Sequence, residues 1–259
     1  MTGGLIALFI LGLLVGSFLN VLTLRIIAGE SIVLGRSHCP HCKTPLRLFD
    51  MIPVMSYVML RGNCRNCDAS ISPQYPLLEL ASAFAFVGIG ASYFANGFST
   101  AFLPLLVRNL VLTAGLLALF VFDVRWYVVP DSVSLPLIAF AFLTNLWLGI
   151  PLGSLLLGAA VGGGFYAILH LASRGRWVGS GDIRLGALLG VILSWPVTLV
   201  GLYLAYLIGG AFGILLLVRG KAKRGAILPM GVFLTAATFL CMLYPEQAAA
   251  LASLFTNVF

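Results

Sequence analysis

Long apolar blocks, separated by short polar stretches, dominate the pattern along the chain. The blocks run from Leu5 to Ile27, Pro76 to Tyr93, Phe102 to Phe122, Val133 to Trp147 and Leu152 to Leu171. Leu185 to Val218 follows as a hairpin broken at Ser194-Trp195-Pro196, and Ile227 to Tyr244 is the last block. Most are long enough to cross ~30 Å of hydrocarbon as a helix. The pattern predicts an all-α polytopic membrane protein with about eight transmembrane helices. Turns are expected at Asn96-Gly97 and Ile150-Pro151, and no internal repeat is evident. The only sizeable polar segment, 28–72, is expected to be a small loop domain. It lies between a first helix over 1–27 and a membrane core over 73–259.

Composition supports this class. Hydrophobic residues make up 61% of the 259 residues and charged residues 9%, against roughly 25% charged in soluble domains. The first apolar block is a full span with no small-residue cleavage site after it, so it is read as a helix rather than a removable signal. Net charge is +7, and its distribution is a topology signal. Alternating the spans places every one of the 15 Lys and Arg except Arg108 on one side. That side is expected to be cytoplasmic, with both termini periplasmic and anionic lipid attracted to the basic loops. Arg108 is expected to snorkel at the outer end of its span. No basic-aromatic surface points to nucleic acid.

The same topology gathers acids at one depth. Of eight acids, Asp123 ends the third span, Asp131 begins the fourth, Asp182 precedes the sixth, and Glu79 lies in the first turns of the second. A carboxylate at membrane depth is a functional candidate by default. The sixth span, Ile183 to Ser194, is only about 18 Å of helix, too short for the bilayer. Asp182 is therefore expected in a wet cleft or beside a turn inside the protein. Gly179 and Gly181 around it permit unusual dihedrals and close backbone approach. Two carboxylates converging on one water can share a proton and hydrolyse a peptide bond. The plainer reading makes Asp131 and Asp182 N-caps. Asp123 ends a helix, where an anion is disfavoured, so it pairs with Asp182 or with Arg125. A proton or cation pathway competes with the hydrolytic pair.

The polar segment carries Cys39-Pro-His-Cys42 and Cys64-Arg-Asn-Cys67, a four-cysteine pattern for structural zinc. Cytoplasmic thiols stay reduced, which argues against two disulfides. His38 and His41 are expected on the surface, and Cys241 in core packing. Gly162-Gly163-Gly164, Gly186 and Gly190 suit close helix packing. Ser17 and His170 do not complete a nucleophilic triad.

In combination, these motifs resemble the type IV prepilin peptidases, polytopic aspartic peptidases of the GxGD type. The resemblance rests on Gly16-Ser-Phe-Leu-Asn-Val21 with Arg25, the two Cys-x-x-Cys pairs, and Ile71-Ser-Pro-Gln-Tyr-Pro-Leu-Leu-Glu79. Asp123 with Pro130-Asp131, and Gly179-Ser-Gly-Asp182 with Leu185, complete it. It implies that Asp123 and Asp182 are the catalytic pair and that Asp131 supports them; at position 184 the family often has Lys where this chain has Arg. It implies an inner-membrane enzyme that cleaves the basic leader of prepilins and pseudopilins at the cytoplasmic face. Many members also methylate the new N-terminus from S-adenosylmethionine. Glu79 and the zinc loop are where residues for methyl transfer would be sought, and no donor-binding residue is assigned. Acids such as Glu30, Asp50 or Glu79 are expected to help receive the leader's basic charges. A proton-coupled transporter with a structural zinc loop, and a non-enzymatic pilus assembly factor, are the alternatives.

Overall fold

A computed structural model describes residues 2–95, 99–220 and 228–256. All its regular elements are helical: α1 (Thr2–Ala28), α2 (Met55–Met59), α3 (Gln74–Ala95), α4 (Leu103–Trp126), α5 (Asp131–Trp147), α6 (Leu152–Ser173), α7 (Ser180–Leu193), α8 (Val197–Val218), α9 (Met230–Leu243) and α10 (Pro245–Thr256). Five helical stretches are long and apolar enough to cross a membrane, and α5 and α9 are shorter apolar helices. With α7, this gives the eight expected apolar helices. The expected turn at Asn96-Gly97 lies outside the described residues.

The chain folds as two compact units, 1–114 and 115–259, divided within α4. In the first, α1 and α3 pack antiparallel at backbone distance. A Cβ on Gly12 would lie 2.5 Å from the Ala83 Cα, and one on Gly16 would lie 2.6 Å from the Glu79 Cα. Buried Asn20 ties the pair together. Its amide donates to the Tyr75 carbonyl at 3.2 Å and its Oδ1 accepts from Gln74 at 3.3 Å. In the same unit Arg108 is buried rather than snorkelling, because Asn109 Oδ1 receives its Nη1 at 2.7 Å. Asn109 in turn donates to the Tyr93 hydroxyl at 2.8 Å.

In the second unit α6 and α7 are sealed by small residues, as the glycines suggested. A Cβ on Gly190 would strike the Gly158 carbonyl, and one on Gly162 the Gly186 carbonyl. In lipid there is no hydrophobic drive between helices, so close packing of this kind must hold them. The far end of α7 is tied down by polar bonds. Buried Asn145 donates to the Val191 carbonyl at 2.7 Å, and Ser154 and Trp195 bond in both directions.

Sequence reasoning missed α10. Its Ala248 and Ala252 pack with Val200 and Cys241, which also places Cys241 in the core, as expected. At 12 residues, α10 is about 18 Å long and does not cross a bilayer.

A Gly190→Ala variant should lose on the order of 1–3 kcal/mol through overpacking, read as a lower thermal midpoint in detergent. Gly164→Ala, where a methyl group meets nothing within 4 Å, should leave the midpoint unchanged.

Candidate functional site

Asp123 lies in the last turn of α4, which continues to Trp126. It does not pair with Arg125, whose guanidinium sits over the Trp126 ring. Its carboxylate instead faces the start of α9 and is buried. Oδ2 accepts the Val232 N–H at 2.9 Å, and the Gly231 N–H also bonds the carboxylate. A helix start leaves its first N–H groups without intrahelical partners and carries a partial positive charge. Thus an anion misplaced at the end of α4 is correctly placed at the start of α9.

Asp182 lies in the first turn of α7, not before it. The N-cap is Gly179, and the Asp182 Oδ2 accepts the Gly179 N–H at 3.1 Å. The two carboxylates belong to one locus. Asp182 lies within electrostatic reach of Asp123. A single point beside Gly231 lies 2.8 Å from Asp123 Oδ2 and 2.6 Å from the side chain of Leu185, one turn beyond Asp182. Gly231 therefore has no room for a side chain. The hydroxyls of Tyr166 and Tyr206 also lie within reach of Asp182; their rings stack 6.4 Å apart.

The flanking glycines serve packing more than backbone freedom. Neither adopts a positive φ. Gly181 is required by contact, since a Cβ there would lie 2.8 Å from Val129, whereas Gly179 has open space. Asp131 is not a cap either. It is the first residue of α5, after Pro130, and its carboxylate pairs with Arg184. Asp131 thus joins the start of α5 to the turn that carries Asp182. His170 plays a local part, its Nδ1 2.8 Å from the Val178 carbonyl in the loop before α7.

Glu79 belongs to the first unit. It is buried in the second turn of α3 and accepts the Val54 N–H at 2.7 Å. Val54 has φ 61°, ψ −49° and is bridged by Met55 N–H to Pro53 carbonyl at 2.6 Å, which makes a strained γ-turn. Of the three acids expected to help receive a basic leader, Glu79 and Asp50 already have partners within the first unit. Asp50 takes both Nε and Nη2 of Arg65, at 3.0 and 2.7 Å. That guanidinium holds its carboxyl below the ordinary value. Glu30 alone of the three is exposed.

Cys39, Cys42, Cys64 and Cys67 converge with their sulfurs within 4.8 Å of one another. Cys39 and Cys67 are 3.9 Å apart, close to the edge of about 3.8 Å expected for a tetrahedron with 2.3 Å metal–sulfur bonds. The four thiols fit a tetrahedral soft-metal site. Two matching knuckles present them: Cys39 N–H bonds Thr44 O and Lys43 N–H bonds Cys39 O, while Cys64 N–H bonds Ala69 O and Asp68 N–H bonds Cys64 O. Lys43 and Asp68 both take positive φ. This is a local structural repeat that the sequence alone did not reveal. Thr44, first through its hydroxyl and then through its backbone, pulls the Cys42 thiol down to about 6, ready to ligate as thiolate.

Comparison with known proteins assigns the fold its family. Residues 10–93 match the bacterial peptidase A24 N-terminal domain and residues 110–214 the type IV leader peptidase family. The chain belongs to the type IV leader peptidase family. Relatives named "Prepilin leader peptidase/N-methyltransferase" include proteins of Stutzerimonas stutzeri, Aeromonas hydrophila and Bacillus subtilis (strain 168). The first is 33% identical, covering 93% of this chain and 91% of its own length. The second is 32% identical, with 92% and 90% covered, and the third 32%, with 93% and 94%. No solved structure matches the chain. Two carboxylates within reach of one another can share a proton and activate water against a carbonyl.

The sequence did not reveal that α9 contributes to this locus, although Pro229 followed by Met230-Gly231 marks a helix start. Nor did it single out Tyr166 and Tyr206, which read as ordinary apolar-face aromatics. If the four-cysteine site binds metal, replacing Cys39 or Cys64 with Ser should remove that metal from the purified protein, measured by elemental analysis. Gly231→Ala should displace Asp123 or Leu185 and lower turnover without changing the metal content.

Proposed function

We propose that this chain is a membrane aspartic endopeptidase that removes the leader of prepilins or pseudopilins, with Asp123 and Asp182 as the catalytic pair. What carries the reading is the convergence of these two carboxylates from α4 and α7 on neighbouring helix starts. Asp131, Gly179 and Gly181 support the pair: Asp131 pairs with Arg184, two residues beyond Asp182, Gly181 lets Val129 pack against the turn, and Gly179 leaves open space beside it. The transporter and assembly-factor readings are not favoured.

Two carboxylates in mutual reach share one proton. Asp123 has two N–H donors on its carboxylate and the α9 terminus behind it, so it is the better seat for the charge. Asp182, with one donor, carries the proton. Asp123 takes a proton from water as the water oxygen bonds to the scissile carbonyl carbon. Asp182 gives its proton to the carbonyl oxygen, forming a neutral gem-diol. The gem-diol then collapses as the amine leaves with the proton from Asp123, and a diol proton returns to Asp182. Atoms balance as one water added across one peptide bond.

From the one-sided distribution of Lys and Arg we assign the site to the cytoplasmic face of the inner membrane, with both termini periplasmic. The four cysteines are assigned to structural zinc, whose closed thiolate set leaves no position for hydrolytic chemistry. N-methylation of the new N-terminus from S-adenosylmethionine is part of the proposal because the relatives' names carry it. We assign no residue of this chain to that step.

Asp123→Asn and Asp182→Asn, each in reconstituted full-length protein, should lower cleavage of a membrane-inserted prepilin by at least about 10²–10⁴-fold. Metal content and thermal midpoint should stay near wild type. Near wild-type turnover in either variant would sink the two-aspartate mechanism.

A further inference from the structure

The segment between α1 and α3 carries large apolar side chains that no other described residue of the first unit covers. Val33, Leu34, Leu48, Phe49, Val58 and Met59 are 65–88% exposed. Such exposure is ordinary on α1, where Ile6, Leu14 and Phe18 face outward from a membrane span. On a polar connecting segment, it marks a surface that meets something.

Two tethers fix where these residues sit, and both begin on membrane-crossing helices. Arg25, in the last turn of α1 and buried, donates to the carbonyls of Ser31, Ile32, Leu34, Gly35 and Arg36 at 2.9–3.4 Å. Five carbonyl contacts on one guanidinium bend the chain back onto the end of the span, taking Val33 and Leu34 with it. Glu79, in the second turn of α3, holds the Val54 N–H at 2.7 Å. The start of α2, with Val58 and Met59 just beyond, is therefore tied to the level at which α3 enters the bilayer. Phe49 and Met59 line one shallow cleft together with Arg47 and Arg65, so the 48–52 stretch shares that level.

The charge pattern fits a lipid surface. Each apolar pair is next to an exposed cation in the chain: Leu34 with Arg36, Leu48 and Phe49 with Arg47, and Met59 with Arg61. Apolar side chains that enter the headgroup–acyl boundary, rimmed by Arg that stays with phosphate, are the pattern of an interfacial anchor.

We propose that the cysteine-bearing segment is seated in the membrane surface, with Val33, Leu34, Leu48, Phe49, Val58 and Met59 inserted at the headgroup–acyl boundary of an anionic leaflet. Both tethers and the apolar rim then serve one end. They hold the metal-binding knuckles against the bilayer instead of letting the loop swing free in water. The proposal does not depend on the peptidase reading, because its readout is position and not cleavage.

The test places a fluorescent amino acid at position 34, 49 or 58 of the full-length protein by codon suppression. Each protein is reconstituted in nanodiscs of phosphatidylcholine and phosphatidylglycerol, the lipid being brominated in the upper acyl chain or not. All three positions should lose most of their emission to bromolipid and resist iodide added in water. Replacing Arg36, Arg47 and Arg61 with Gln should weaken the bromolipid effect, as should discs without phosphatidylglycerol. Full iodide access with no bromolipid quenching at these positions would overturn the proposal. So would shielding from iodide that arises only when a prepilin transmembrane peptide is added, since the occupant would then be that peptide.

Discussion

The structure depends on where the first N–H groups of its helices find acceptors. In or near hydrocarbon there is no water to take them, and each unsatisfied group costs several kcal/mol. Four acids answer this need. Asp50 accepts the Arg47 N–H before a short 3₁₀ turn, Glu79 the Val54 N–H before α2, Asp182 the Gly179 N–H before α7, and Asp123 the Val232 N–H inside α9. Two of these bonds are local and two are long-range. The long-range ones, from Glu79 and Asp123, organise tertiary structure. One fastens the polar segment to a span, and the other fastens α4 to α9. The candidate catalytic carboxylates are thus extensions of a structural requirement, and the requirement explains how anions are tolerated there at all.

The same logic separates what was legible in the sequence from what was not. Apolar block lengths gave the helices because each span must satisfy its own backbone, and the short sixth block correctly marked α7 as unusual. The cysteine spacing gave the metal cluster because a tetrahedron constrains four sulfurs whatever surrounds them. The topology expected from the positive charges, which gathers the acids at one depth, gave Asp123 and Asp182 as candidates. What each acid touches was not legible. Spacing suggested Arg125 for Asp123 and a cap for Asp131, whereas the partners are the start of α9 and Arg184. Those contacts join residues far apart in sequence, and no local pattern encodes them. α10 escaped because a short, half-apolar helix after Pro245 has no length signal. Arg108 escaped because a lone cation near a span end looks the same whether it reaches water or bonds a neighbouring Asn.

The glycines illustrate a related limit. A glycine beside a functional acid invites an argument from backbone freedom, yet Gly179 and Gly181 have ordinary dihedrals. Gly181 is needed because Val129 leaves no space for a methyl group, and Gly231 because Asp123 and Leu185 occupy it. Steric exclusion and conformational freedom select the same residue type, and only the neighbours tell them apart.

The glycine seam between α6 and α7 has a consequence for bilayer thickness. α7 has 14 residues, about 21 Å, and by itself would settle at no defined height in a ~30 Å layer. α6 has 22 residues, about 33 Å, and is matched to that layer. Locked to α6 through Gly158, Gly162, Gly186 and Gly190, the shorter helix inherits its register. In a bilayer α6 would therefore act as a ruler for α7, and hydrophobic mismatch of α6 would shift the height of Asp182 with it.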